Sequence, residues 1–216
     1  MKVGTDAVLL GAWTKVKAED NILEIGSGTG VISLMLAQKG GKTIEAIDIQ
    51  KQAFELSRSN FNKSKWATKM TAHHYSLKKY CSQNKKKFDL IVSNPPYFES
   101  ADLNLKPRNI AREQAQLDYK TLFQSTASLL KPKGRFSFII PFAHYEKAKE
   151  LMKVKGLFPQ KICAIKGNKN AVKKRILVQS TFNDGAISPS NLTIEQKRNQ
   201  YTKAYQKLLR EYLTIF

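Results

Sequence analysis

The run Ile22-Leu23-Glu24-Ile25-Gly26-Ser27-Gly28-Thr29-Gly30, followed by Val31-Ile32-Ser33-Leu34-Met35-Leu36-Ala37-Gln38, sets the architecture of this chain. Residues 22–25 are a short apolar run of the kind buried in a parallel sheet, and residues 31–38 read as the helix after it. Between them Gly26, Gly28 and Gly30 permit a tight turn and let the backbone approach a ligand closely. A second strand over residues 43–47 ends at Asp48, twenty residues after Gly28. A carboxylate at that place can accept from two ribose hydroxyls. Together these pieces suggest a nucleotide-like cofactor.

Working outward, residues 50–62 read as a helix, 67–72 as a weaker strand, 88–93 as a clear strand and 114–130 as a long helix. Lys131-Pro132-Lys133-Gly134 punctuates the chain before a strand at 135–140 and a helix at 144–155. Strands alternating with helices predict a doubly wound, mostly parallel α/β sheet covered on both faces. The pattern then changes. Residues 161–165 and 174–181 read as two strands joined by a short basic loop, 166–173, too short for a crossover helix, so they should be antiparallel. Residues 199–213 read as a helix with Tyr201, Ala204, Tyr205, Leu208 and Leu209 on one side, expected to cover the sheet edge or dock beside the site.

At 216 residues, 42% of them hydrophobic, the chain fits one α/β domain with a full core. No stretch approaches the roughly 18 apolar residues of a membrane span, and Met1-Lys2-Val3-Gly4-Thr5-Asp6 lacks the basic-then-apolar order of a signal peptide. Cys81 and Cys163 have neither metal nor redox spacing, which predicts a reduced protein of the cytoplasm. His73-His74 has no supporting cysteine pair, so no metal site is expected. The formal net charge is +20 and unevenly placed: between Leu56 and Phe88 stand nine Lys or Arg residues and no Asp or Glu. Such a field attracts a polyanion. A solvated lysine-rich surface is the competing reading, and charge alone does not separate RNA from DNA.

Glu24 bears on the cofactor. Phosphate-binding turns set a pyrophosphate against a helix N-terminus and avoid nearby negative charge. A carboxylate just before the turn suits a cationic amino-acid ligand, because it accepts from an ammonium group; this favours S-adenosylmethionine over a nicotinamide dinucleotide. The plainer alternative is a structural acid capping backbone amides. After the third strand comes Ala72-His73-His74-Tyr75-Ser76-Leu77, without the acid that many such enzymes use to meet adenine. Backbone groups or a ring such as Tyr75 would have to hold it.

A second constellation follows the strand at 88–93: Asn94-Pro95-Pro96-Tyr97. Methyl transfer from a sulfonium is a direct displacement, needing alignment and electrostatics more than a strong base. An aromatic amino group is a poor nucleophile because its lone pair is delocalised into the ring. Two acceptors beside its hydrogens favour a pyramidal nitrogen: the Asn94 side-chain carbonyl and the backbone carbonyl of Pro95. Tyr97 can stack on a flipped base and Phe98 can line the entrance. A rigid Pro-Pro turn with packed rings is the bland alternative. The 46 residues from Asp48 to Asn94 accommodate two more strand-helix passages, which brings both sites to one sheet edge. Residues 99–113 are polar and carry Lys106, Arg108 and Arg112, either as phosphate contacts or as a plain surface loop.

These segments resemble the bacterial tRNA1(Val) adenine-37 N6-methyltransferases of the class I, adenosylmethionine-dependent superfamily. Lys2-Val3-Gly4-Thr5-Asp6-Ala7-Val8-Leu9-Leu10-Gly11-Ala12-Trp13 is similar to that family's segment before the first core strand, and Phe88 to Phe98 to its F-D-L-I-V-S-N-P-P-Y-F element. Tyr201-Thr202-Lys203-Ala204-Tyr205 and Glu211-Tyr212-Leu213 resemble its C-terminal helix. The Asn-Pro-Pro-Tyr element alone is shared with DNA adenine, ribosomal guanine and release-factor glutamine methyltransferases, so the N-terminal segment carries much of the assignment. The resemblance implies a Rossmann-like single domain over 1–216, with a seven-stranded sheet holding one antiparallel strand near its C-terminus. It further implies a cofactor-covering segment at 1–19 and a C-terminal helix at 199–216. Thr5 and Asp6 would close the cofactor pocket, Gly26, Gly28 and Gly30 cradle it, Asp48 hold the ribose, and Asn94 to Tyr97 receive adenine 37 of tRNA1(Val). No stable protein partner and no membrane are expected. That family carries further residues ahead of Lys2, so the chain is expected to start late relative to it. Other readings of the same residues are a protein glutamine N5-methyltransferase, a catalytically silent RNA-binding module and, least supported, a nicotinamide dehydrogenase.

Overall fold

The computed structural model describes residues 3–96 and 118–214. The chain enters through helix α1 (Thr5–Trp13) and continues β1 (Asn21–Ile25), α2 (Val31–Gln38), β2 (Thr43–Asp48), α3 (Lys51–Asn62), β3 (Met70–His74), α4 (Leu77–Gln83) and β4 (Phe88–Ser93). Then come α5 (Tyr119–Leu129), β5 (Leu130–Pro141), α6 (Tyr145–Lys153), β6 (Phe158–Asn168), β7 (Lys173–Thr181), β8 (Ser188–Lys197), β9 (Gln200–Tyr201) and α7 (Lys203–Leu209). The strands form one sheet in the order β3-β2-β1-β4-β5-β7-β6-β8-β9. From β1 the chain winds outward through β2 to β3, then returns to β4 on the other flank of β1, all in parallel. Strand order therefore reverses between β1 and β4, the place where doubly wound sheets open a crevice for ligands.

Period-two alternation divides the strand side chains between two cores. Ile22, Ile44, Val92 and Leu177 pack with Leu9, Leu10 and Leu36 from α1 and α2. Leu23, Ile25, Ile91, Phe136 and Phe138 pack on the other face with Tyr80, Phe123 and Met152 from α4, α5 and α6. Helix α1 sits close on α2, because a Cβ at Gly11 would stand 2.7 Å from the sulfur of Met35. Lys39 closes the end of α1 by donating to the carbonyls of Gly11, Ala12 and Thr14, the groups a helix C-terminus leaves without partners.

The sheet is larger than the seven strands with one antiparallel strand that the resemblance implies. Among the described residues it has nine, with antiparallel pairings of β7 to both β5 and β6 and of β9 to β8. The antiparallel pairing expected of the two strands around the basic loop is present as β6 and β7. The additional β8 pairs in parallel with β6. It escapes a hydrophobic-pattern reading because Leu192 alone along it is buried; backbone pairing with the sheet edge, not side-chain burial, makes it a strand.

The C-terminal helix over 199–216 is likewise corrected. Asn199 takes a positive φ of 62°, Gln200–Tyr201 pairs with β8, and the helix begins only after Thr202, whose hydroxyl accepts from the Tyr205 amide. The long helix at 114–130 begins, among the described residues, at Tyr119, where extended Asp118 caps the Thr121 amide. Leu130 already belongs to β5, which it enters opposite Phe88 before an irregularity over Lys131 to Gly134. The third strand starts at Met70, preceded by a 3-10 turn at Ala67–Lys69.

Candidate active site

Register fixes the site. Ile25 pairs with Ile47 on one side and Ser93 on the other, and Asp48 pairs with His74. Gly26, Asp48 and Asn94 therefore leave three neighbouring strands at one level of the carboxyl edge. Ser93 strengthens the junction by donating its hydroxyl to the Ile25 carbonyl at 2.9 Å.

The glycine turn is stitched to β2. The Gly26 and Ser27 amides both donate to the Ile47 carbonyl, at 2.9 and 3.0 Å. Gly26, Gly28 and Gly30 have φ of 81°, 53° and 77°, the left-handed region that a side chain disfavours. At Gly30 space is also closed, since a Cβ would lie 2.6 Å from the Phe61 ring. At Gly26 no atom lies within 4 Å of that position, so the turn has a braced side and an open side. Helix α3 supplies the brace: Asn60 donates to the Thr29 carbonyl at 2.8 Å and the Ser27 and Ser57 hydroxyls meet at 3.2 Å.

Asp48 does more than the ribose role expected of it. Its Oδ2 accepts from the Gly28 amide at 2.9 Å and its Oδ1 from the Gln50 amide at 2.8 Å. The carboxylate thus ties the turn to the start of α3, with each oxygen retaining a further lone pair for a ligand. Glu24 lies beneath the turn, 1% exposed, and its Oε2 accepts from both the amide and the hydroxyl of Ser33. This is the amide-capping role that the sequence leaves open. Burial pushes its carboxyl from an ordinary 4.5 up to about 8, against the Ser33 hydrogen bonds and with a further push from the Asp48 charge.

Just past β4, Asn94 is half-buried, Pro95 is buried and Pro96 is exposed. Tyr97, Phe98, Lys106, Arg108 and Arg112 lie outside the described residues. Thr5 is exposed at the first turn of α1, and Asp6 accepts from Arg175 Nε of β7 at 2.8 Å. Because Arg175 pairs with Pro141 at the carboxyl end of β5, this ion pair puts the start of α1 on the candidate-site edge. The rest of α1 is a buried layer of the core.

On the β3 side, Tyr75 packs into a group with His73, Tyr80 and Lys79. His74 stacks on Phe54 and its Nε2 lies 3.0 Å from the Ile49 carbonyl, while Ile49 stays 47% exposed beside Asp48. Sequence reasoning passed over Ile49 and the α3 braces; the spacing of Ser57, Asn60 and Phe61 along one helix is the signal that identifies the latter. It also missed Tyr119, whose hydroxyl meets His144 Nδ1 at 2.9 Å. These two stand where α5 begins and β5 has just ended. Burial pushes the Tyr119 hydroxyl up to about 12, opposed by the Arg175 charge. The described residues contain no group of three or more His, Cys, Asp or Glu able to hold a metal, and no helix long and apolar enough to cross a membrane.

The chain is similar to known methyltransferases along most of its length. The family model described as Methyltransferase small domain matches residues 3–172. A protein of Christiangramia forsetii named tRNA1(Val) (adenine(37)-N6)-methyltransferase is 37% identical over 220 residues, covering 98% of this chain and 90% of that protein. A protein of the same name from Phocaeicola vulgatus is 40% identical over 213 residues, with coverage of 98% and 90%. Among solved structures, a predicted O-methyltransferase from Agrobacterium tumefaciens superposes with a TM-score of 0.70 at 15% identity, over 95% of this chain and 96% of that one, a likeness of fold. With identity at this level over nearly its whole length, the chain belongs to the tRNA1(Val) (adenine(37)-N6)-methyltransferase family.

Proposed function

We propose that the crevice between β1 and β4 transfers a methyl group from S-adenosylmethionine to the exocyclic N6 of adenine 37 in tRNA1(Val). The enzyme is an S-adenosylmethionine-dependent methyltransferase acting on tRNA. The observation that carries the reading is the common level at which Gly26, Asp48 and Asn94 leave adjacent strands. The open space at Gly26 fits a cofactor chain that must approach backbone, and the free lone pairs of Asp48 fit ribose hydroxyls. Glu24 is the acceptor for a ligand ammonium group, Ile49 offers an apolar surface for adenine, and Thr5 with Asp6 closes the pocket from α1.

When bound, the cofactor supplies an electrophilic methyl group. The chain's own residues prepare the nucleophile. Asn94 Oδ1 and the Pro95 carbonyl accept the two N6 hydrogens, draw the nitrogen toward a pyramidal geometry and carry the positive charge that develops. Proline suits this place because it presents a carbonyl without a competing amide donor. Tyr97 and Phe98 stack on and enclose the flipped base, and Lys106, Arg108 and Arg112 meet phosphates. The reaction needs no stable protein partner and belongs in the cytoplasm, where its tRNA is.

Incubation with unmodified tRNA and labelled S-adenosylmethionine, followed by mass-spectrometric mapping of nucleosides, tests the proposal. The expected product is a single N6-methyladenosine at position 37 of tRNA1(Val), lost with Asn94→Ala. Label in another nucleotide refutes the position, and label in a release-factor glutamine instead of RNA favours the amide-methylating alternative.

A further inference from the structure

The densest acid-free stretch of the sequence, residues 56–88, suggests itself as the polyanion surface, but the fold disperses it. Lys69 donates to the carbonyls of Ala37 and Gly41, Lys86 pairs with Glu45, and Lys87 donates to the Ser128 carbonyl. Lys63, Lys65, Lys69, Lys85, Lys86 and Lys87 stand in the links that lead into the amino ends of β3 and β4. That is the sheet edge opposite Asn94.

A different basic group gathers on the edge that matters. β5 runs parallel to β4, and β6 and β5 are both antiparallel to β7, so the β6–β7 connection turns over at the carboxyl edge. Ser93 pairs with Phe138, so Asn94 is level with Ile139, which pairs with Leu177. Lys173 lies four residue steps along the strand from Leu177, so the tip rises about 13 Å above the Asn94 level, roughly 10 Å to the side across two strand spacings. From Lys166 to Arg175 there are five basic residues and no acidic one. Lys169, Lys173 and Lys174 are exposed and make no ion pair with any described residue. On the neighbouring strand, Glu195 pairs with Asn168, so exposed Lys197 and Arg198 stand just past the level of the same tip. Val172, 75% exposed, lies among these cations.

Five cations displayed on two adjacent turns repel one another unless a polyanion shares them. An apolar side chain among them suits a surface that alternates phosphate with sugar and base. We infer that the β6–β7 tip and the β8–β9 turn form a rim that grips the phosphate backbone of the tRNA flanking the nucleotide held at Asn94. The inference rests on the tRNA-methyltransferase reading for the identity of the RNA, and names the face that binds it.

The test compares the triple variant Lys169→Ala, Lys173→Ala, Lys174→Ala with the opposite-edge double variant Lys63→Ala, Lys65→Ala. Binding of an unmodified tRNA1(Val) transcript is followed by fluorescence anisotropy over a salt series, with cofactor calorimetry reporting an intact fold. The triple variant is expected to lose about ten- to a hundredfold in tRNA affinity, with a log–log salt slope shallower by about two to three, since each phosphate contact contributes about 0.7–0.9. Cofactor affinity stays unchanged, and the double variant binds tRNA like the wild type. Unchanged affinity and slope in the triple variant, or an equal loss in the double variant, overturns the rim. A wild type that transfers no methyl to tRNA, while the triple variant still loses RNA affinity, keeps the rim and overturns the methylation reading.

Discussion

On the β1 side of Asn94 the carboxyl edge is made of backbone: three glycines at positive φ, two amides on the Ile47 carbonyl, and a carboxylate whose oxygens both hold main-chain amides. On the β5 side it is made of side chains: Tyr119 on His144, Arg175 on Asp6, and exposed lysines that make no ion pair with any described residue. The first arrangement is preorganised before any ligand arrives and tolerates almost no change of shape. The second presents side chains, whose rotamers adjust more readily than a main-chain turn to a long, irregular polyanion. Rigidity goes to the small ligand and adaptability to the large one.

Substitutions along the edge should separate the two sides. Asn94→Ala, at their junction, is expected to lower methyl transfer by about a hundred- to a thousandfold, the scale for removing one preorganised polar group from a reacting centre. Thermal unfolding should change far less than activity does, and labelled-methyl incorporation reads the difference. Gly30→Ala strikes the backbone side, where a Cβ meets the Phe61 ring at a φ of 77°. It should cost about 1–3 kcal/mol in denaturant unfolding and weaken cofactor binding at least about tenfold by calorimetry, a size set by the same distortion of the turn.

Glu24 adds a pH dependence to that side. In the folded, ligand-free protein its carboxyl titrates near 8 against an ordinary 4.5, so the folded state holds the extra proton between those values. Its contribution to stability is fully present below about 4.5 and is lost as pH rises through 8. Glu24→Gln, which does not titrate, should therefore gain on the wild type in melting temperature as pH increases across that window. Cofactor affinity of the wild type should rise between pH 6 and 7.5, by up to about tenfold per unit, because the ammonium partner needs the ionised acid. The Gln variant should bind without that slope.

The smallest effect belongs to the side-chain side. Tyr119→Phe removes one hydrogen bond to His144, about 1 kcal/mol, and should reduce kcat/KM for tRNA about fivefold while leaving cofactor affinity intact. A loss of cofactor binding in this variant would show that the two sides are not separate.

The backbone side was legible because its chemistry is local. Gly26, Gly28 and Gly30 must be glycines for the turn to close, and Asp48 must end the next strand for its oxygens to reach the turn. The doubly wound sheet and the antiparallel β6–β7 pair followed from apolar runs and loop lengths. Strand β8 and the pair at Gln200–Tyr201 were not visible, because edge pairing is made by backbone groups that every residue type carries. The Tyr119–His144 contact was equally hidden, joining residues 25 apart across a helix and a whole strand.

Residue identity alone settled that this chain winds a parallel sheet around a glycine turn and ends its fourth strand in Asn94-Pro95-Pro96, since those backbone shapes admit few other residues. Tertiary structure alone settled which charges face the substrate edge. The nine cations between Leu56 and Phe88 form the conspicuous run in the sequence, yet most of them lie at the amino ends of strands or cap carbonyls there. The hairpin at Lys169 to Lys174 stands beside the site because strand direction and register carry it there. Charge adds up along a sequence, but a ligand meets it only where the fold displays it.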